Sequence, residues 1–510
     1  MKRKLLLSLI IAGTLSNCVY AKDYIKNDLR TLFLNNQAII YEINMRSFNA
    51  QDKNGNEIIE VEKGDIRGNF LNAIDRLDEL KNYGINTIHL MPINPVGKIA
   101  SIGTAGSVYA MLDIAAIDKN LIDENSKLSD KEQFKKFVSE CHKRGIRVMV
   151  DIPACGSAEM AIEHPDLFIK DKNGKAVIPV DWTDVRLFKT VNTDGSLNKE
   201  LLNEHKKYVD MLIEAGADGI RADVAPIKPQ GFWSELIKYA RENDPEFMFL
   251  AETAEAWAPP KVPTPTAIAP ELLEAGFDGY YGNALNYLNF KSPKDFEFMF
   301  KLIGEFAKNG EKKAIIGCFN SHDLESVYLK SKEYAEAIMY MNATLPLNPY
   351  YVDGFQSGDK YDYSYSGKPA KRTYTDNMKY YTHKNKIDIF NYSRRPGGNM
   401  PEMQSKLKET IALRESLGDL VTKGDFSMLK TSDKKVYAYK RQLGDDALIV
   451  VVSNNQLQST DSSVSIKNSK ISSNCKVLTP SKDFSICKDK LNVKLKPGQV
   501  FAIKYKVKND

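Results

Sequence analysis

The strongest constraint on the fold is an alternation of short apolar runs with amphipathic stretches, which extends from Gln37 to about Gly398. The amphipathic stretch from Asn69 to Tyr83, for example, carries apolar residues at helical spacing, and an apolar run follows at residues 87–91. Gly84 separates the two segments and is typical of a helix end. Repeated units of this kind predict parallel strands that are joined by helices.

Eight such apolar runs can be counted along the chain. They lie at residues 38–43, 87–91, 146–150, 218–223, 247–252, 277–281, 314–319 and 349–352. Eight parallel strands with right-handed crossovers close into a (β/α)8 TIM barrel. The alternative is an open doubly wound sheet, but no Gly-x-Gly-x-x-Gly motif follows the first strand. We therefore expect an α/β barrel.

Two breaks in the alternation predict additional units. Between residues 156 and 190 the chain runs through a loop that is longer than an ordinary strand-to-helix connection, which predicts a small inserted loop domain after strand 3. After Gly424 strand-like runs replace the alternation and predict a C-terminal antiparallel β-sandwich. The expected layout is a barrel over residues 22–155 and 191–420, an excursion over 156–190 and a C-terminal domain over 421–510.

The first 21 residues are typical of an export signal. Lys2-Arg3-Lys4 precede a mostly apolar run from Leu5 to Leu15, and Val19-Tyr20-Ala21 resembles a cleavage site. Lipidation at Cys18 is the alternative, although Asn17 is a poor fit to the small residue that usually precedes a lipidated cysteine. We expect export to the periplasm or the cell exterior.

Charge and hydropathy argue against several classes of partner. The chain carries 71 basic and 66 acidic residues, and three of the basic ones lie in the expected signal. The remainder is nearly neutral and gives no reason to expect binding to nucleic acid. No further run of about 18 apolar residues follows, so we expect no membrane span.

Five cysteines follow the expected cleavage site, in a compartment that permits disulfides. Cys475 and Cys487 lie close together in the strand-rich C-terminal segment and are the best candidates for a disulfide, although the sequence leaves open whether they are bridged. Cys141, Cys155 and Cys318 are expected to be buried thiols, because no His or Cys spacing indicates zinc.

Polar residues end several of the predicted barrel strands. Catalytic side chains in such barrels stand at the C-terminal ends of strands. Asp151, Asp223 and Glu252 each end a strand, and His322-Asp323 follow a later one. Arg221 precedes Asp223 by two residues and so points to the same side of its strand.

Asp223 and Glu252 suit the pair of carboxyl groups that a retaining glycosidase places about 5–5.5 Å apart. The apolar residues 249–251 should disfavour the charged form of Glu252 and suit a proton donor. Arg221 should hold Asp223 ionised and oriented. The alternative is a structural ion pair between Arg221 and Asp223, but several acidic strand ends in one barrel are costly without a role.

Because of these residues and their order, the chain resembles the α-amylase family, glycoside hydrolase family 13, over about residues 37–505. Residues 219–223 are similar to the family's nucleophile segment, 250–252 to its acid segment and 319–323 to its third-carboxylate segment. The resemblance implies a retaining hydrolase of α-1,4-linked glucans or maltooligosaccharides. It assigns the nucleophile to Asp223, the acid/base to Glu252 and the transition-state stabiliser to Asp323, with Asp151, Arg221 and His322 at substrate-binding positions.

Aromatic residues supply the expected sugar contacts. Residues 106–110 resemble the segment whose tyrosine stacks on the sugar being cleaved, which makes Tyr109 the candidate platform. The alternative for Tyr109 is a core tyrosine. A polar loop after the last barrel strand contains further tyrosines that either bind glucan or pack beneath the loop, namely Tyr361, Tyr363, Tyr365, Tyr374, Tyr380 and Tyr381.

Two departures from the family pattern bear on the ligands. Cys155 and Gly156 stand where the resemblance implies Asn and His, and that Asn commonly ligates calcium. A thiol is a poor ligand for a hard cation, so we expect neither a metal nor a cofactor. Pro226 and Ile227 replace a Lys-His pair that grips the leaving-group sugar. Lys228 either substitutes for that pair or is an exposed lysine without a role.

These departures leave two alternatives to a hydrolase open. One is a glucan transglycosylase similar to the maltosyltransferases, since the outcome depends on whether water or a sugar reaches the intermediate. The other is a catalytically silent glycan-binding barrel. Retention of all three carboxylates together with Arg221 favours an enzyme over the silent barrel.

Overall fold

The computed structural model describes most of the chain after the expected export signal. The described residues are 26–53, 59–101, 106–180, 182–253, 258–282, 292–298, 314–324, 326–359, 400–455, 457–467, 469, 471–481 and 483–507. The expected signal with Cys18 and the six tyrosines between residues 361 and 381 lie outside them. In the described part of the chain, no helix is long and apolar enough to cross a membrane.

Eight parallel strands close into a barrel, which confirms the predicted fold. They are β1 (Ile40–Ile43), β2 (Thr87–Leu90), β3 (Arg147–Ile152), β6 (Gly219–Ala222), β7 (Met248–Glu252), β8 (Gly279–Tyr281), β9 (Ala314–Gly317) and β10 (Asn348–Val352). Each strand pairs with the next in this order, and β10 pairs with β1 to close the ring.

Helices precede, connect and follow the barrel strands. In the described residues outside the excursion after β3, the α-helices are Leu29–Leu34, Met45–Phe48, Phe70–Ala73, Leu77–Tyr83, Asp130–Lys143, Lys199–Ala215, Gln230–Asn243, Ala269–Ala275, Lys332–Thr344, Pro401–Leu417 and Asp419–Thr422. Gly84 and Gly216 end their helices in the left-handed conformation, with φ of 92° and 87°, which glycine adopts without a Cβ clash.

The stretch from Asn69 to Tyr83 was expected to be one helix, and this is wrong. A 3-10 turn at Ile74–Arg76 divides it into two short helices. Within this turn the guanidinium of Arg76 reaches Glu79 at 3.0 Å and Asp353, which follows β10, at 3.4 Å. These polar contacts across the barrel rim accompany the break in regular helix.

Side chains inside the barrel change from apolar to charged along the strands. Residues two apart on a strand share a face. In three strands an apolar residue is followed two positions later by an acid: Ile40 and Glu42, Met149 and Asp151, Leu250 and Glu252. The apolar members pack in one buried cluster with Phe33 of the N-terminal helix. The charged members therefore gather at the C-terminal end of the barrel.

After β3 the chain leaves the barrel in a small excursion. β4 (Gly156–Ser157) pairs antiparallel with β5 (Val185–Arg186), and the helix Ala158–Glu163 lies between them in sequence. An apolar cluster, which we call the rim cluster, joins the excursion to the barrel. It consists of Ala110, Ala154, Cys155, Val185, Leu187, Val224 and Ile227.

The C-terminal segment is antiparallel, as predicted. Its strands are β11 (Asp425–Met428), β12 (Val436–Leu443), β13 (Asp446–Ser453), β14 (Thr460–Ser465), β15 (Ile471–Val477), β16 (Phe484–Cys487), β17 (Lys490–Leu495) and β18 (Val500–Val507). A five-stranded sheet has the order β11-β12-β13-β18-β15, and a three-stranded sheet has the order β14-β17-β16. Buried apolar residues of both sheets form one cluster, for example Ile449 and Phe501 of the larger sheet with Leu491 of the smaller.

The predicted disulfide between Cys475 and Cys487 is wrong, because both thiols are free. Cys475 lies opposite Tyr505 in the five-stranded sheet, whereas Cys487 lies opposite Lys490 in the three-stranded sheet. Closeness in sequence therefore does not pair the two residues, which lie on strands of different sheets. Buried thiols are found, as predicted, at Cys141, Cys155 and Cys318.

Candidate active site

Arg221 on β6 lies at the centre of the charged groups at the end of the barrel. Its Nη1 donates to Asp151 Oδ2 at 3.2 Å and to Asp223 Oδ1 at 3.0 Å. Its Nη2 lies 2.9 Å from Glu252 Oε2. One guanidinium thus gathers carboxylates from three adjacent strand ends, which the planar, multidentate donor set of arginine favours.

The carboxylates of the site differ in exposure. The side chain of Asp151 is 0% exposed, whereas those of Asp223 and Glu252 are 14% and 13% exposed and that of Asp323 is 21% exposed. Asp223, Glu252 and Asp323 are therefore open to a ligand, and Asp151 acts through the side chains that it holds.

Backbone amides hold the two partly exposed carboxylates that contact Arg221, those of Asp223 and Glu252. The N–H of Ala154 donates to Asp223 Oδ2 at 3.0 Å, and the N–H of Val224 donates to Glu252 Oε2 at 2.7 Å. Val224 has φ 36° and ψ 52°, a left-handed conformation that costs a residue other than glycine on the order of 1–3 kcal/mol. This strained turn points the Val224 amide toward Glu252.

Burial raises the pKa values of both Glu252 and Asp223. Burial raises the pKa of Glu252 to about 8; Asp223 and Asp323 add to the rise, and Arg221 opposes it. Burial also raises the pKa of Asp223, again against the effect of Arg221. Close acids of this kind ionise one at a time. The arrangement favours an ionised Asp223 beside a protonated Glu252.

Tyr109 and His322 form the next part of the site. The hydroxyl of Tyr109 donates to Asp151 Oδ2 at 2.7 Å and lies 3.1 Å from His322 Nε2. The two rings stack with centroids 5.6 Å apart and an interplanar angle of 19°. Tyr109 is half-buried, so it lies within the site with part of its surface open, unlike a core tyrosine.

His322 carries a positive charge at neutral pH. Burial opposes that charge, but Asp323 and Glu42 together raise the pKa of His322 to about 10. Glu42 contacts Nδ1 of His322, and Asp323 Oδ1 lies 3.4 Å from Nε2. Despite burial, His322 and His89 lower the pKa of Glu42 below its usual range. The result is an imidazolium held between two carboxylates.

All seven candidate site residues meet at the C-terminal end of the barrel. Arg221 contacts three of them directly, and Tyr109 connects Asp151 to His322, which in turn lies beside Asp323. The seven residues are Asp223, Glu252, Asp323, Tyr109, Asp151, Arg221 and His322. Their convergence is a geometric finding, and their chemical roles are treated below as proposals.

Sequence reasoning missed four polar side chains of the site, namely Glu42, His89, Tyr281 and Tyr350. His89 bonds Asp151 Oδ1 and the Tyr350 hydroxyl, each at 2.9 Å. Tyr281 accepts a hydrogen bond from Arg221 Nη2 at 3.1 Å. Each lies within a barrel strand. The available signal was a polar side chain inside an apolar run.

Lys228 is buried, and the expectation of an exposed lysine is wrong. Its residue is 1% exposed, and its Nζ donates to the carbonyl oxygen of Ala154 at 2.8 Å. The ammonium lies 5.7 and 5.5 Å from the ring centroids of Phe188 and Trp233. Burial lowers the pKa of Lys228 to about 8.

The residues around position 155 do not fit the calcium ion that the family resemblance implies there. Burial raises the pKa of the Cys155 thiol to about 12, so the sulfur stays protonated. Cys155 packs with Ile227 in the apolar rim cluster, and Lys228 binds the neighbouring carbonyl of Ala154. Calcium takes six to eight oxygen ligands. Among the residues that the structure describes, no group of three or more His, Cys, Asp or Glu side chains could hold a metal ion.

Comparison with known proteins finds relatives of the chain. No family model matches it. An alpha-1,4-glucan:maltose-1-phosphate maltosyltransferase of Myxococcus xanthus is 29% identical over 210 residues, which cover 39% of this chain and 31% of that protein. A cyclomaltodextrinase of a Bacillus species is 28% identical over 207 residues, which cover 37% of this chain and 33% of that protein. The chain thus spans about a third of the length of these curated relatives.

Solved structures share the fold over nearly the whole chain. The crystal structure of a maltogenic alpha-amylase from Thermotoga neapolitana superimposes with a TM-score of 0.68 and 23% identity. The match covers 93% of this chain and 100% of that one. At this level of identity the likeness concerns the architecture: the closed barrel together with the antiparallel C-terminal segment.

Proposed function

We propose that the chain is a retaining glycosidase acting on α-1,4-linked glucans or maltooligosaccharides. Its sequence is similar in part to a cyclomaltodextrinase and its fold to a maltogenic alpha-amylase. One observation carries the proposal. Asp223 and Glu252 contact the same guanidinium at 3.0 and 2.9 Å, and both are partly exposed. A shared partner suits the short separation of about 5–5.5 Å that the retaining mechanism needs.

In the first step Asp223 attacks the anomeric carbon. The bond between that carbon and the leaving oxygen breaks as the bond to Asp223 forms, and Glu252 donates its proton to the leaving oxygen. A pKa of about 8 keeps Glu252 protonated at neutral pH, whereas Arg221 and the Ala154 amide favour the ionised form of Asp223. The two acids thus start in complementary protonation states.

In the second step the covalent bond to Asp223 is broken. Glu252, now ionised, takes a proton from a water molecule or from an acceptor hydroxyl, whose oxygen attacks the anomeric carbon. Water yields hydrolysis, and a sugar yields transfer. Asp223 returns as a carboxylate beside Arg221.

The remaining exposed side chains contact the sugar. The carboxylate of Asp323 is 21% exposed and accepts hydrogen bonds from sugar hydroxyls, whereas His322 is only 3% exposed and holds that carboxylate from 3.4 Å away. Such bonds accelerate the reaction to the extent that they strengthen in the transition state. The half-buried ring of Tyr109 supplies a flat apolar surface for a pyranose face.

Glucan transfer is the second candidate function. It is favoured by the maltosyltransferase relatives and by the burial of Ile227 in the rim cluster, where the family resemblance implies a sugar-gripping histidine. Incubation with maltoheptaose, followed by separation of products by chain length, distinguishes the two activities. Chains longer than the substrate indicate transfer, whereas shorter chains alone indicate hydrolysis.

The stereochemistry of the product tests the proposed mechanism. Proton NMR of a fresh maltoheptaose digest should show the α anomer before mutarotation, because two inversions retain the configuration. Asp223→Asn is the matched control and should give no product. The β anomer as first product contradicts double displacement, and saturable binding without any product indicates a silent glycan-binding barrel.

A further inference from the structure

Lys228 is a buried cation that the proposed reaction does not use directly. At 1% exposure it is out of reach of a sugar. Its polar contact is the carbonyl oxygen of Ala154, at 2.8 Å, and the rings of Phe188 and Trp233 lie beside it. Burial of an ammonium is costly unless it is compensated, so its position next to the active site calls for an explanation.

Ala154 connects Lys228 to the nucleophile. Its N–H donates to Asp223 Oδ2 at 3.0 Å, while its C=O accepts from Lys228. The other oxygen of Asp223 accepts from Arg221 at 3.0 Å. Two donors therefore fix the carboxylate of Asp223, and one of them is an amide whose own residue is held by Lys228.

The surroundings of Ala154 strengthen this link. Ala154 belongs to the apolar rim cluster, together with Cys155, Val224 and Ile227. In such surroundings a hydrogen bond from an ammonium to a carbonyl is stronger than it is in water. The Lys228 bond is thus well placed to fix the orientation of the Ala154 backbone.

We propose that Lys228 is a positioning residue for Asp223, which holds the carbonyl of Ala154 and so keeps the Ala154 amide directed at the nucleophile. The inference rests on the proposed function. It adds to it a residue outside the substrate cleft that sets the rate of the first chemical step.

The first test measures attack by Asp223 in isolation. α-Maltosyl fluoride needs no proton donor, so in a Glu252→Gln background the fluoride burst reports the step in which the bond to Asp223 forms and fluoride leaves. Adding Lys228→Met should lower the burst rate constant by about tenfold to a hundredfold, with KM changed by less than about twofold. Lys206→Met is the matched control, because that ammonium lies 4.7 Å from the ring centroid of Tyr239, and it should leave the burst unchanged.

The second test needs no change at Lys228. Burial lowers the pKa of Lys228 to about 8, so the burst rate constant of the Glu252→Gln protein should fall as pH rises through this value. The ionisable groups that face Lys228 are Cys155, Asp223 and His205, and Asp184 faces Cys155. Burial and Lys228 lower the pKa of His205 to about 3, so it is neutral throughout this range. The protein that also carries Lys228→Met should lack the decline.

The outcomes separate this inference from the proposed function. A burst rate unaffected by Lys228→Met, or one that is independent of pH up to about pH 10 while Lys228 is present, overturns the role of Lys228 alone. If Lys228→Met fails to fold, the pH dependence decides. Failure of both the native and the Glu252→Gln protein to release fluoride overturns the proposed function instead.

Discussion

The end of the barrel and the core of the C-terminal sandwich are built from similar strands but bury opposite kinds of side chain. Ile449, Phe501 and Leu491 are fully buried in the sandwich, whereas Arg221 and Asp151 are fully buried at the barrel end. Apolar burial stabilises a fold at about 25 cal/mol per Å², but buried charges are costly even when paired. The comparison teaches that the charged groups of the barrel end are kept at a cost in stability that the apolar core of the sandwich does not carry.

The largest expected effect is that of Asp223→Asn at the barrel end. The substitution removes the nucleophile while keeping size and shape, so kcat should fall by about 10⁴-fold or more. The melting temperature should stay close to that of the native protein, because the buried guanidinium of Arg221 keeps its contacts with Asp151 and Glu252. Turnover of maltoheptaose and thermal unfolding measure the two effects. Near-native turnover by the variant would contradict the assignment of the nucleophile to the barrel end.

The converse change is Ile449→Ala in the sandwich. It should lower the free energy of unfolding by about 2–5 kcal/mol, because it leaves a cavity between two sheets, and it should leave kcat of the folded protein unchanged. Ile486→Ala is the matched control, since Ile486 is 40% exposed on β16. Denaturant unfolding and initial rates provide the measurements, and a large loss of kcat with Ile449→Ala would show that the regions are coupled.

The pH dependence of kcat/KM sharpens the assignment of chemistry to the barrel end. Glu252 must be protonated to act as the acid, and burial raises its pKa to about 8. The rate should therefore decline above about pH 8 and fall tenfold per unit beyond it. An activated substrate, α-maltosyl fluoride, should show a weaker decline. A decline of kcat/KM that begins near the ordinary glutamic acid pKa of about 4.3 would contradict this protonation state.

The same ionisation predicts how stability changes with pH. A folded-state pKa of about 8 lies above the unfolded value, so the stabilisation by neutral Glu252 is present below about pH 4.5 and is lost as pH rises through 8. Glu252→Gln removes this loss. Its melting temperature should exceed that of the native protein at pH 9 and match it at pH 4.5; equal values at both would contradict the pKa of Glu252.

The smallest expected effect follows Glu42→Gln. Glu42 contacts Nδ1 of His322 and contributes to its raised pKa. The variant should titrate His322 at lower pH and lose about tenfold in kcat/KM, because the imidazolium that holds Asp323 loses one of its two carboxylate partners. NMR of ¹⁵N-labelled histidine follows the titration, with the exposed His164 as an internal reference. An unchanged His322 titration would show that Glu42 does not act through this residue.

The barrel and the main carboxylates could be predicted because both follow from local patterns. Each strand is an apolar run of its own, and Asp223 and Glu252 end their runs. Parallel strands bring their C-terminal ends to one edge, so three strand ends sufficed to predict a shared site. The resemblance to the α-amylase family rests on the same residues.

The missed features depend on contacts between distant parts of the chain. Glu42 meets His322 only because β10 closes the barrel onto β1. Cys475 and Cys487 lie on different sheets, which the spacing of twelve residues does not reveal. The direction of the Lys228 side chain is set by the short turn after β6 and by the excursion, whose Phe188 lies beside the ammonium. Local sequence patterns contain none of this information.

The central claim is that Asp223 forms a covalent bond to the sugar. Incubation with 5-fluoro-α-glucosyl fluoride, followed by peptide mapping with mass spectrometry, tests it most directly. The account predicts a stable adduct on the peptide that contains Asp223, and no adduct in the Asp223→Asn protein. An adduct on Glu252 or Asp323, or turnover of natural substrate with inverted configuration and no adduct, would contradict it.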